Sequence, residues 1–188
     1  QDSWGSIEAP LDLMFSFIIW NACGLGSWVK TDYIVSELQK NKASLMVVLE
    51  AKQCSSKISV FSHRMNMCAF RHENPQNYHI WMFWHSYISV DLITASDQFF
   101  TINITKGIHS CFISFDYGNC DAHIRKSLWN ELSSFDLEDC PWYGGGDFNI
   151  VVSINKNKGR GVFPHKASMD FYQLMENSGL VDMGFIGS

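Results

Sequence analysis

Polar residues that could do chemistry stand at the ends of apolar runs. Asn21 follows Ile18, Ile19 and Trp20; Glu50 follows Met46 to Leu49; Asp147, with Asn149 two residues on, follows Trp142 and Tyr143. Strand ends are where open sheets present ligand groups. Gly144, Gly145 and Gly146 immediately precede Asp147 and remove three side chains. That would let a bulky anionic substrate, or its metal, approach the backbone; the plainer reading is a β-bulge. Glu50 and Asp147 offer hard oxygen ligands of the kind Mg²⁺ takes, one or two carboxylates with water and phosphate oxygens filling the rest. Asn21 and Asn149 are neutral donors that can hold a phosphate or a water without adding repulsion. Taken singly, each has a bland alternative, since Asx residues open turns and a Glu after a strand is commonly solvated. Together, carboxylates, a metal and amides around one phosphate make a phosphoester hydrolase.

The elements that would position these groups follow from hydrophobic patterning. Leu13 to Trp20 reads as a strand buried on both faces, followed by a Gly24 to Ser27 loop. Val29 to Asn41 reads as a helix, with Val29, Tyr33 and Leu38 inward and Glu37 and Lys40 outward. Leu45 to Leu49 is a second continuous apolar strand, expected to pair in parallel with the first. Residues 58 to 117 change to short alternating runs, Met67 to Phe70, Ile80 to Trp84, Ile88 to Thr94, Phe99 to Ile104 and Cys111 to Tyr117, which predict an antiparallel meander. Ile124, Leu128, Leu132 and Phe135 predict a helix over 123–134, with Arg125 and Lys126 on its outer face. Trp142 to Phe148 is another strand, and Met169, Tyr172 and Met175 mark a helix stopped by Gly179. His165 falls on a loop before that helix. Trp20, Trp81, Trp84, Trp129 and Trp142 read as core or helix-packing residues. Strands outnumber helices, and the helices fall between strands at both ends, which suggests two packed sheets with helices outside.

Composition narrows the function classes. With 46% hydrophobic and 18% charged residues in 188, the chain can bury a core, and one domain over 11–188 behind a loose segment 1–10 is the default. A net charge of −5 argues against a polybasic membrane binder or a nucleic-acid coat protein, but not against a nuclease, whose site must carry carboxylates. The longest apolar stretch, Leu13 to Trp20, is broken by Ser16 and falls far short of the ~20 residues that span a bilayer. Six scattered cysteines without a C-x-x-C pair read as reduced thiols of an intracellular protein, and the histidines lack zinc-site spacing. The first residue, Gln1, with no signal-like segment after it, suggests a fragment or excised domain.

The ordered segments WNACGLGS at 20 to 27, VLEAK at 48 to 52, FDYGN at 115 to 119 and GGGDFN at 144 to 149 resemble the endonuclease/exonuclease/phosphatase superfamily. HIWMFW at 79 to 84, ASDQ at 95 to 98, KSLWNEL at 126 to 132, PW at 141 and 142 and GLVDMGFIG at 179 to 187 are similar to the endonuclease domain of plant LINE-type retrotransposons. The resemblance spans roughly residues 13 to 187. It implies a four-layer α/β sandwich of two mixed sheets flanked by helices, and Mg²⁺-dependent (or Mn²⁺-dependent) nicking of DNA in the nucleus, beside a reverse transcriptase in a parent polyprotein. It also implies roles. Glu50 matches the metal ligand and Asn21 the residue orienting metal and phosphate. Tyr117 matches the phosphate-contacting tyrosine, Asp147 the residue that orients or deprotonates the attacking water, and Asn149 the donor that fixes water and phosphate.

Departures accompany the match. The superfamily closes with a Ser-Asp-His motif and a late-strand Asp; the sequence ends at Ser188 before either, which implies an incomplete last sheet. Asp182 and His165 belong to other segments and are not assigned those roles. Cys23 stands where an Arg is usual, Asp116 where an apolar strand residue is usual, and Asn155 to Asn157 where an acidic residue is common. A buried Asp116 without a partner would cost several kcal/mol or shift its pKa upward. Lys156, Lys158, Arg160 and Lys166 form a basic loop that would contact a DNA backbone, or is simply solvated. The competing functional readings are a catalytically inactive remnant and a phosphomonoesterase on the same scaffold.

Overall fold

The computed structural model describes residues 5–7, 16–26, 28–71, 80–135, 140–150 and 165–183. The chain divides into two compact units, one comprising Gln1–Tyr117 with Asp139–Asp147, the other Gly118–Glu138 with Phe148–Ser188.

The continuous apolar run Leu45–Leu49 (β3) is buried at every position, because it lies at the centre of a sheet covered on both faces. Phe17–Asn21 (β2) runs parallel to it, with Phe17 opposite Leu45 and Asn21 opposite Leu49. Gly5–Ile7 (β1) pairs antiparallel with β2, in a stretch where the sequence shows no period. Ile80–Trp84 (β5) runs antiparallel to β3, and Cys68–Arg71 (β4) antiparallel to β5, closing a sheet of order β1-β2-β3-β5-β4. Trp28–Asn41 (α1) and Ile58–Met65 (α2) cover one face, where Ile34 and Leu38 of α1 and Phe61 and Met65 of α2 pack with Trp20, Val48 and Trp81.

Because successive strand side chains alternate faces, the same strands send Phe17, Leu45, Val47, Leu49 and Met82 to the other side. There they meet Phe100, Ile102 and Ile104 of Phe99–Lys106 (β7) and Cys111, Ile113 and Phe115 of His109–Tyr117 (β8). Ser89–Ala95 (β6) and Trp142–Asp147 (β9) complete this second sheet in the order β6-β7-β8-β9, antiparallel except for the parallel pair β8–β9. Two mixed sheets packed face to face and flanked by helices give the expected α/β class. In the second unit Ala122–Ser133 (α3), capped by the Asp121 side chain on the His123 N–H, packs on His165–Asn177 (α4). Trp129, Phe148 and Phe171 interlock there with ring centroids 5.0 to 6.0 Å apart. Among the described residues, no helix is long and apolar enough to cross a membrane.

Several local expectations need correction. The predicted meander is divided between the two sheets, β4 and β5 in the first and β6 to β8 in the second. Residues 58–65, at the start of the stretch expected to form the meander, instead form α2. On α1 the inward stripe runs through Thr31, Ile34 and Leu38, three and four residues apart, whereas Val29 is 77% exposed and Tyr33 is also exposed. On α3 Ile124 is half exposed, and Arg125, expected outside, is buried. Its Nη1 donates to the carbonyls of Asn119 and Cys120, which replace part of the water it loses, while its buried Nε has no hydrogen-bond partner. His165 opens α4 rather than preceding it, and Met169 and Tyr172, which marked that helix, are exposed while Ser168 and Leu174 are buried.

Asp116 on β8 is buried, as its strand position predicts, and its Oδ1 has no hydrogen-bond partner. Two residues back on the same face, Ser114 is satisfied by Thr101 at 2.7 Å and by the Trp142 indole N–H at 2.8 Å. Burial pushes the Asp116 carboxyl well above its ordinary value. The folded protein therefore binds this proton more tightly than the unfolded chain, so the group's contribution to stability falls as pH rises above about 4. Asp116→Val, close to isosteric, is expected to stabilise the fold by about 1–3 kcal/mol. Its Tm gain should be larger at pH 8 than at pH 4; equal gains at both would mean that Asp116 does not titrate between them.

Candidate active site

Parallel pairing sets the ends of β2 and β3 level, so that Asn21 closes one strand and Glu50 directly follows the other. The Ala22 N–H donates to Leu49 O at 3.0 Å, Gly24 N–H to Glu50 O at 2.7 Å and Leu25 N–H to Ala51 O at 2.8 Å. This lacing holds three non-glycine residues in the left-handed region: Cys23 at φ 44°, Glu50 at φ 52° and Lys52 at φ 48°. Each such residue costs of order 1–2 kcal/mol, and clustered strain of this kind persists where surrounding structure over-determines it. The Lys30 ammonium, on α1, donates to Ala22 O at 2.6 Å and Gly24 O at 2.9 Å and fastens the same loop. The second parallel pair, β8–β9, places Tyr117 opposite Asp147.

These two strand pairs bring Asn21, Glu50, Tyr117 and Asp147 into one half-buried network. The Asn21 amide donates through Nδ2 to Glu50 Oε1 at 3.2 Å and to Asp147 Oδ2 at 2.9 Å. Its Oδ1 accepts the Cys23 N–H at 3.1 Å, which fixes the amide's orientation. The Tyr117 hydroxyl donates to Glu50 Oε1 at 3.1 Å, and the Lys52 ammonium pairs with Glu50 Oε2. Burial pushes the Glu50 carboxyl upward, but the hydrogen bonds from Lys52, Asn21 and Tyr117 outweigh it and leave the group below its ordinary range. Glu50 is therefore a carboxylate at neutral pH.

Two carboxylates from different sheets, joined by one neutral amide, suit a hard divalent cation with few protein ligands. Among the described residues no group of three or more His, Cys, Asp and Glu side chains could hold a metal, so the site has no resemblance to a thiolate or imidazole cage. An ionised Glu50, supported by Asn21, fits the sparse protein coordination that Mg²⁺ accepts.

Asn149, with φ 49°, belongs to the second unit, where its Nδ2 donates to Gly118 O at 2.8 Å. The amide expected to face substrate is thus also a clasp on the residue that follows Tyr117. A Cβ on Gly118 would lie 2.6 Å from Phe148 O, which explains the glycine. Lys156, Lys158 and Arg160 lie outside the described residues, as do Asn155 to Asn157, and Lys166 is described only as a residue of α4. Asp182 is exposed. Lys52, quoted only as the last residue of VLEAK, is the group to which the sequence reading gives no role. Its signal was its position two residues beyond a carboxylate at a strand end.

No family model matches the sequence, and none of the curated proteins does. Solved structures do match. An AP endonuclease from Archaeoglobus fulgidus superposes with a TM-score of 0.61 at 13% identity, over 87% of this chain and 70% of that one. The endonuclease domain of TRAS1, a telomere-specific non-LTR retrotransposon, gives a TM-score of 0.54 at 13% identity, over 86% and 70%. A humanized D. rerio TDP2 carrying 14 mutations gives 0.56 at 13% identity, over 80% and 72%. Identities this low speak for the fold alone, which this chain shares with these structures.

Proposed function

We propose that this chain is a divalent-metal-dependent phosphodiester hydrolase that nicks DNA, of the kind found in the endonuclease domain of LINE-type retrotransposons. The observation that carries the reading is the single Asn21 amide joining Glu50 and Asp147, with Tyr117 on the same Glu50 oxygen. Mg²⁺, or Mn²⁺ in its place, would be held by Glu50 and Asn21; when bound it offsets charge developing on the phosphate and the leaving oxygen. The remaining work falls to the chain itself. Asp147, held at Oδ2 by Asn21, orients the attacking water and takes its proton. Tyr117 and Asn149 steady the scissile phosphate, and the Lys156, Lys158 and Arg160 loop contacts the DNA backbone. The polar network is set before substrate arrives, so little reorganisation is required as charge develops. In this reading the chain works in the nucleus, in a parent polyprotein with a reverse transcriptase, and the LINE-like segments favour the plant elements.

The test is nicking of supercoiled plasmid by the purified chain with and without Mg²⁺, beside Glu50→Gln. Metal-dependent nicking that is lost in Glu50→Gln, together with weakened Mg²⁺ binding by calorimetry, is the expected result. A folded chain that nicks nothing would favour the inactive remnant, and turnover of a phosphomonoester in place of plasmid would favour a phosphatase.

A further inference from the structure

Glu50 has two oxygens, and their partners differ in kind. Oε1 accepts from both Asn21 Nδ2 and the Tyr117 hydroxyl, at 3.2 and 3.1 Å, so its lone pairs are spent on neutral donors. Oε2 is therefore the oxygen that a cation would take, and it is the oxygen that the Lys52 ammonium engages. The meeting is built into the backbone. Glu50 and Lys52 both adopt left-handed φ values, of 52° and 48°, around a fully buried Ala51 whose carbonyl is held by the Leu25 N–H. The lysine stem runs alongside Gly24, where a Cβ would lie in ordinary contact, 3.8 Å from Lys52 Cβ. An ammonium of about half exposure, delivered by two strained residues onto one carboxylate oxygen, is more than an incidental surface ion pair.

We infer that Lys52 is a tethered counter-cation that competes with the divalent metal for Glu50 Oε2. Without metal it holds the Glu50 carboxylate aimed through Oε2. Metal binding must displace the ammonium or accept its like charge nearby, so Lys52 lowers metal affinity while positioning the ligand. Lys52 is a positioning residue, and the inference rests on the reading of Glu50 as a metal ligand.

The experiment is calorimetric titration of Mn²⁺ into four forms of the chain: unaltered, Lys52→Met, Lys52→Arg and Glu50→Gln. A structural role alone would leave affinity unchanged or weaken it on substitution. Competition instead predicts that Lys52→Met binds Mn²⁺ about fivefold more tightly, the scale of one partly exposed ion pair. Lys52→Arg, which keeps the charge, should bind as the unaltered chain does. If Glu50→Gln loses Mn²⁺ binding while Lys52→Met binds no more tightly than the unaltered chain, the competition is overturned and the metal assignment stands. If Glu50→Gln binds Mn²⁺ as tightly as the unaltered chain, the metal assignment itself fails and the competition with it.

Discussion

Asp147→Asn is expected to lower plasmid nicking by about 10²- to 10⁴-fold, the range associated with a positioned general base, while Mn²⁺ affinity stays unchanged. The separation follows from the network. Asparagine matches aspartate in size, and its carbonyl can still accept from Asn21 Nδ2, which now lies 2.9 Å from Asp147 Oδ2. Asn21 therefore stays in place, and with it the support of Glu50. What the substitution removes is a negatively charged proton acceptor. Nicking assays and calorimetry on the same preparation read the two quantities independently. Full nicking by the Asn variant would place the water on another group, and a parallel loss of Mn²⁺ binding would make Asp147 a metal ligand.

The second large effect concerns stability. A Cβ built on Gly146 would lie 2.0 Å from the Asp116 carbonyl oxygen and 2.7 Å from its nitrogen, both of them backbone atoms of the paired strand β8. Neither can move without breaking the β8–β9 ladder. Gly146→Ala is therefore expected to destabilise the protein by about 3 kcal/mol or more, or to prevent folding. Gly144→Ala is the control, since its Cβ would meet nothing within 4 Å. Chemical denaturation of the pair measures the difference, and comparable stability for the two variants would contradict the close approach. The glycine run thus divides in function: Gly146 admits the neighbouring strand, while Gly144 faces open space.

How much of this was legible in the sequence depended on whether the cue was local. The buried strands β2 and β3 announced themselves as continuous apolar runs, and their ends pointed to Asn21 and Glu50. Asp147 was legible in the same way, after Trp142 and Tyr143. Tyr117 was not, because a tyrosine in a strand is ordinary, and only the resemblance singled it out. The helix α2 escaped because ISVFSHRM spans only two turns, with Phe61 and Met65 buried and Ile58 packed partly against the core, too short a stretch to establish a period. Alternation predicted the strands of the middle region but not their division between two sheets, since a strand reads alike whichever sheet it joins. Arg125 was misplaced because a charged residue on a helix is solvated by default, and the carbonyls of Asn119 and Cys120 that receive it are a loop feature.

The network also bears on the order in which the protein can be built. Asn21 and Asp147 are 126 positions apart, and the chain between β8 and β9 runs through α3 before Asp147 can join its strand partner. During synthesis the first sheet, with Asn21, Glu50 and Lys52, and the β6–β8 hairpins are all complete before β9 emerges. Closing a parallel pair across a long connection is a slow, non-local event. Glu50 and Lys52, only two residues apart, can neutralise one another well before Asp147 arrives. A nascent chain would thus carry a charge-balanced half-site, and the second carboxylate would enter only as β9 docks.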